Sequence, residues 1–305
     1  VGVIFRGFSV LAAVIVSAIG TDWIERHFRM RPRELGAAEP LHFKIDLQPG
    51  MPDPWMYLTA PIVAVLGVCW AFVVLPFSSG AVGSDLNIGA FYFLVVVDFV
   101  VLGIAIGGWG ANAPDSVESC YRIVAQMIAY VVPLGMAVIG PLMMARSLST
   151  VNIVNAQSAA GFWYVVVQPL GFALYIATAL MQTYRAPFLE PFSGQIDHGI
   201  LSVYEGWKAL LWRVALSGIL FVVSAMGAVL FLGGYSGPIL PGPLWMLLKT
   251  IIVMALMLWT GSRTRLLSTA QMLSLSWKIL IPIGLLNVLI VGVLILFGVG
   301  QKPFA

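Results

Sequence analysis

Five stretches of this chain carry no charge at all: residues 54–84, 123–145, 147–184, 214–248 and 279–301. Each is longer than the ~20 residues an α-helix needs to cross ~30 Å of hydrocarbon. No soluble fold of 305 residues requires such runs, and the composition agrees. Only 10% of residues are charged and 60% are apolar, with a mean hydropathy of +0.97. A soluble chain carries about 25% charged residues, so most of this surface must face lipid. Runs such as AFYFLVVV and ILFVVSAMGAVLFLGG do not alternate polar and apolar, which excludes the strands of a membrane barrel. The fold class is therefore an all-α integral membrane protein.

Cutting the apolar runs at Gly, Pro and polar clusters predicts eight transmembrane helices, at about 2–20, 57–77, 89–109, 123–145, 160–181, 213–233, 243–260 and 277–298. Twelve of the sixteen Lys and Arg residues fall in the connections after the first, third, fifth and seventh spans. Basic loops stay on the cytoplasmic side, so both termini are expected outside. The opening span has a single basic residue ahead of it, no clear small-x-small cleavage site and charged TDWIERHF directly after it, and is read as a retained helix, not a signal peptide. Residues 1–305 read as a single polytopic domain without internal repeats. Its two long inside loops, 21–56 and 182–212, mix charge, aromatics and proline.

Little chemistry is spelled out. Three histidines without ligand spacing predict no metal site, and Cys69 and Cys120 are too few for an iron–sulfur cluster. A net charge of +3 argues for no nucleic-acid partner. Asp98 stands alone in FLVVVDFVVLG, near the middle of the third span. A carboxylate at that depth costs a few kcal/mol and should face the bundle interior, a partner or water. It is either a hydrogen-bonded structural acid or a proton carrier. Lys249, two turns into the seventh span, is expected to snorkel outward. Glu205 and Lys208, three apart, share a face if the approach to the sixth span is helical.

The wording of the chain is more specific than its chemistry. WIER at Trp23–Arg26, TAPIVAVLG at Thr59–Gly67, DLNIGAFYF from Asp85, AQMIAYVVPLGMAVIG at Ala125–Gly140, QPLGFALYIATALMQTYRAPF at Gln168–Phe188 and QMLSLSWKILIPIGLLN at Gln271–Asn287 occur in one order and spacing. Together they resemble the membrane-arm H-type component of proton-pumping NADH–quinone oxidoreductase (respiratory complex I) nearly end to end. That resemblance implies an anchor for the hydrophilic arm, lining a quinone chamber formed with iron–sulfur redox-arm subunits. It also implies other membrane-arm subunits and the lipid bilayer as partners, with quinone bound at the interface between them. Flavin and iron–sulfur clusters would belong to partners, and the chain would act as an enzyme only within such a complex. The implied location is a bacterial-type inner membrane, with the mitochondrial inner membrane as the alternative. Quinone-chamber candidates are Trp23, Glu25, Arg26, Arg185 and Phe188, and proton-path candidates are Asp98, Glu205 and Lys208.

The sequence departs from the resembled family at its acids. Val131 stands where the family has the glutamate of SYE, and Gln182 where it has that of AETNR. Leu189, Phe192 and Gly194 replace acids after RAPF, and Ala270 replaces an aspartate. Val cannot titrate, and Gln can hold a hydrogen bond without changing charge. A depleted or rerouted proton path is therefore expected. The competing readings are an anchor subunit of a membrane-bound hydrogenase or ferredoxin-linked complex, a structural paralogue without quinone turnover, and a stand-alone transporter or channel.

Overall fold

The computed structural model of the chain describes residues 13–21, 24, 53–78, 80, 82–112, 114–188, 204, 206–238 and 240–298. All regular structure among them is helical. Residues 13–21 form α1, followed by α2 (Pro54–Val73), α3 (Gly89–Val97), α4 (Phe99–Gly110), α5 (Pro114–Ala145), α6 (Thr150–Ala160), α7 (Tyr164–Val167) and α8 (Pro169–Gln182). The chain continues through α9 (Gly206–Leu232), α10 (Gly242–Arg263), α11 (Thr269–Leu275), a wide π-helical turn (Ser276–Leu280) and α12 (Ile281–Leu296). Six helical segments among the described residues are long and apolar enough to cross a membrane: Pro54–Val73, Gly89–Gly110, Ser116–Ala145, Gly206–Leu232, Gly242–Arg263 and Thr269–Leu296.

These six coincide with the second, third, fourth, sixth, seventh and eighth expected spans. The first lies largely outside the described residues. The fifth, expected as one helix over 160–181, is broken. Gly161 closes α6 in the left-handed conformation (φ +78°), and Pro169 pushes Gln168 out of the helical region to φ −124°, ψ 56°. Beyond that break, α8 has 14 residues. At 1.5 Å per residue that is about 21 Å, short of a ~30 Å bilayer core.

α9 is the central pillar, with every residue from Ala215 to Phe231 buried. α2 and α4 are drawn together by small side chains. A Cβ on Gly103 would lie 2.8 Å from the Ala60 carbonyl oxygen, and one on Gly67 would lie 2.8 Å from Phe99 Cβ. The Ala60/Ala64 and Gly103/Gly107 pairs, each four apart, let the two backbones approach closely, as membrane helices do without a hydrophobic drive between them. By contrast, α12 leaves Leu285, Leu286, Leu289 and Ile290 exposed on the outside of the bundle.

α5 carries Pro133 and Pro141 in its interior. Pro133 has no N–H for the carbonyl of Ala129 four residues back, and a bare carbonyl is costly in hydrocarbon. The Ser276 hydroxyl, from the π-helical turn before α12, donates to that Ala129 oxygen. A helix defect in α5 is thus closed by a second helix that has itself widened to reach it.

Lys249 does not snorkel outward. It is 2% exposed, its Nζ donates to the Ser236 carbonyl at 2.7 Å, and it sits 5.0 Å and 5.4 Å from the Trp163 and Trp245 ring centroids. The loop after α9 supplies the oxygen that holds Lys249 inside the bundle.

Candidate functional site

A polar group is built around the half-buried Asp98, which forms the turn between α3 and α4 (φ −74°, ψ −8°). The Tyr130 hydroxyl of α5 donates to Asp98 Oδ1 at 3.0 Å, and the Gln182 side-chain N–H at the end of α8 donates to the same oxygen at 3.3 Å. Tyr130 and Gln182 are both buried, and the Tyr184 ring with its hydroxyl lies beside Tyr130. One turn earlier in α5, the Gln126 amide donates to the carbonyls of Met181 (2.7 Å) and Phe188 (3.3 Å). That pair of bonds fixes the end of α8 against α5 and keeps Gln182 at the carboxylate. Asp98 is therefore the acid of a three-helix polar node whose other members are neutral.

Val131, adjacent to Tyr130, points the other way. It is 41% exposed on the outer surface of the chain, as expected for neighbours turned ~100° apart on a helix. Gln182 thus touches Asp98, whereas Val131 faces away from it.

A second cluster gathers near the starts of α2 and α9 and the end of α4. Tyr57 of α2 stacks on Tyr204 with centroids 4.3 Å apart and planes 10° apart, and Trp212 of α9 meets Tyr204 edge-on at 5.6 Å. The Tyr204 hydroxyl donates to the Gly107 carbonyl at 3.3 Å. Burial, with the Tyr57 ring close by, pushes its phenol up, so it remains a neutral donor. A Cβ at position 107 would lie 2.8 Å from that hydroxyl and would displace it. Lys208 lies 4.2 Å over the Tyr57 ring. Trp55 and Trp109, near the start of α2 and the end of α4, are exposed.

Arg185 follows α8 and is tied inward, donating to the Leu216 carbonyl of α9 at 3.1 Å and to the Thr183 carbonyl at 3.4 Å. Phe188 is 4% exposed, and its N–H donates to the Arg185 carbonyl at 2.8 Å. The Ala186–Pro187 peptide between them is cis. The Pro187 carbonyl accepts the Leu267 N–H at 2.9 Å. Arg185 thus ties the end of α8 to α9, Pro187 ties it to the α10–α11 connection, and Phe188 ties it to α5. Trp23, Glu25, Arg26 and Glu205 lie outside the described residues, as do most of loops 21–56 and 182–212.

Sequence reasoning does not single out Tyr130, Gln126, Tyr57, Tyr204 or Ser276. Two of these carry a usable signal, because Gln126 and Ser276 are polar residues within long apolar segments. Among the described residues, no group of three or more His, Cys, Asp or Glu is placed to hold a metal ion.

Comparison with known proteins places this geometry in context. Residues 39–292 match the family model described as NADH dehydrogenase. The chain is 34% identical over 293 residues to the H-type subunit of NADH-quinone oxidoreductase from Dehalococcoides mccartyi, covering 91% of this chain and 82% of the relative. It is 31% identical over 313 residues to the second such H-type subunit of Syntrophobacter fumaroxidans, covering 94% of each. It is 32% identical over 318 residues to the second H-type subunit of Rhizobium meliloti, covering 95% of this chain and 96% of the relative.

Proposed function

The chain belongs to the NADH dehydrogenase family, beside proteins named as H-type subunits of NADH-quinone oxidoreductase, and on that premise we propose that it is the H-type membrane-arm subunit of such an oxidoreductase. The observation that carries the reading is the extent of the similarity, which runs over more than nine-tenths of the chain. In this role residues 1–305 form one polytopic domain of eight spans with both termini outside, in a bacterial-type inner membrane. Loops 21–56 and 182–212 dock the iron–sulfur arm, and other membrane-arm subunits cover part of the exposed apolar surface.

A quinone head group needs a flat, apolar wall and a few donors. The stacked Tyr57 and Tyr204, the Lys208 ammonium above Tyr57, and exposed Trp55 and Trp109 at the same end fit those needs. When bound, quinone supplies an acceptor for two electrons and two protons. This chain's residues would shape the chamber: Trp23 as an apolar wall, Arg26 and Glu25 as charges on the first inside loop. Arg185 and Phe188 would hold the α8–α9 connection behind it.

Proton movement is assigned to Asp98, with Glu205 and Lys208 nearer the inside loops. Ionised Asp98 accepts from Tyr130 and Gln182. A proton arriving at the other oxygen, Oδ2, leaves Oδ1 accepting from Tyr130 and Gln182, so the carboxyl can gain a proton without breaking the node. Gln182 holds the carboxyl in place but cannot carry charge. The path is therefore depleted compared with one of several acids, and the weight falls on Asp98. Purification from the native membrane in mild detergent, with mass spectrometry of all co-eluting subunits and of quinone, tests the assignment. Flavin-bearing and iron–sulfur subunits with quinone are expected. A nickel–iron catalytic subunit would instead indicate the hydrogenase-type anchor, and the chain eluting alone would contradict the proposal.

A further inference from the structure

At the bundle end opposite the inside loops, α5 stops at Ala145 and the chain turns at Arg146 with φ +51°. A left-handed residue commonly follows a helix, but glycine or asparagine adopts it with least strain. Arginine is a poor choice for the turn itself, so its side chain must account for its presence. Arg146 is exposed at the rim of a groove of about 530 Å³. Phe91, Ile139 and Met143 supply apolar wall, while Asn87 and Ser147 are the polar residues lining it beside Arg146.

Among the described residues Arg146 has no ion-pair or hydrogen-bond partner for its guanidinium. The acid at this end of the described bundle, Asp85, accepts the Ser149 hydroxyl at 2.7 Å. Residues 1–12 and 299–305, which the charge distribution assigns to the same side, contain no acid. Beyond the groove, α3 and α5 expose Val95, Ile128 and Val132, so its apolar wall continues along surfaces at membrane depth.

We propose that this groove binds an anionic phospholipid, with its phosphate on Arg146, Asn87 and Ser147 and an acyl chain against Phe91, Ile139 and Met143. A volume of this size falls within the range of small-molecule sites. An unpaired guanidinium matches a phosphate in charge and in its fork of donors. A lipid meets both the polar rim and the apolar wall at the depth where helices end. The proposal requires only that the chain spans a bilayer, so it stands or falls separately from the oxidoreductase assignment.

The test uses the chain extracted with its accompanying subunits, depleted of lipid and exchanged into nanodiscs of phosphatidylglycerol or phosphatidylcholine. Native mass spectrometry then counts retained lipid. Wild type and Arg146→Lys should retain one more phosphatidylglycerol per chain than Arg146→Asn, and phosphatidylcholine should show no such difference. Asparagine tolerates the positive φ, and Arg146→Gly serves if Arg146→Asn does not assemble. Equal phosphatidylglycerol retention by wild type and the charge-free variants overturns the proposal. A photocrosslinker at position 147 that captures a neighbouring polypeptide instead of lipid overturns it as well.

Discussion

Replacing Ser276 by Ala should destabilise the bundle in a way that depends on Pro133. The Ser276 hydroxyl is the donor to Ala129 O, whose helical donor Pro133 cannot supply. Leaving a buried carbonyl unpaired costs about 1–3 kcal/mol, while measured polar pairs in membrane bundles reach only ~1.7 kcal/mol. The expected loss is therefore ~1–2 kcal/mol, roughly a 5- to 30-fold shift toward the unfolded state. Pro133→Ala supplies an N–H at that position, so Ser276→Ala should cost less in the Pro133→Ala background. The coupling between the two sites should approach ~1 kcal/mol by double-mutant cycle. Unfolding of purified chain in mixed micelles, titrated with denaturing detergent, measures all four proteins. Additive effects of the two substitutions would refute the claim that the hydroxyl compensates the proline.

Other consequences arise from close approach and charge. Gly103→Ala should cost about 1–3 kcal/mol because the new methyl meets the Ala60 carbonyl. Gly135→Ala, with nothing within 4 Å, should be neutral or stabilising by up to ~1 kcal/mol; thermal unfolding separates the two. Tyr57→Ala removes the stack on Tyr204 and the ring under Lys208. It should lower quinone-dependent turnover several-fold while subunit composition on native gels is unchanged. Lys249→Met leaves the Ser236 carbonyl without its Nζ donor. Faster proteolysis of loop 233–241 is expected, leaving one fragment that ends with α9 and one that begins with α10.

The long spans are legible because a bilayer removes charge from whatever crosses it, and the runs at 54–84, 123–145 and 214–248 record that directly. The broken fifth span is written in the same letters but by a weaker rule. Gly161 and Pro169 act on single backbone angles, which a hydropathy count does not register. Asp98 is visible as an isolated acid, whereas its partners are not. Tyr130 and Gln182 lie 32 and 84 residues away, and helix packing alone decides that Tyr130 turns inward while Val131 turns out. Lys249 escapes sequence reasoning for a related reason. Its depth suggests reaching for water, but the fold of a separate loop brings Ser236 to it. Trp23, Glu25, Arg26 and Glu205 rest on sequence alone, since they lie outside the described residues.

The ratio of protons pumped to electrons transferred, measured in sealed vesicles carrying the assembled complex with Asp98→Asn alone and with Glu205→Gln, tests the account most directly. Asparagine keeps an oxygen for Tyr130 and Gln182 to bond but cannot take up a proton, so assembly and electron transfer should survive. The ratio should fall with Asp98→Asn and fall no less in the double variant. An unchanged ratio in the double variant would contradict a proton path through these acids.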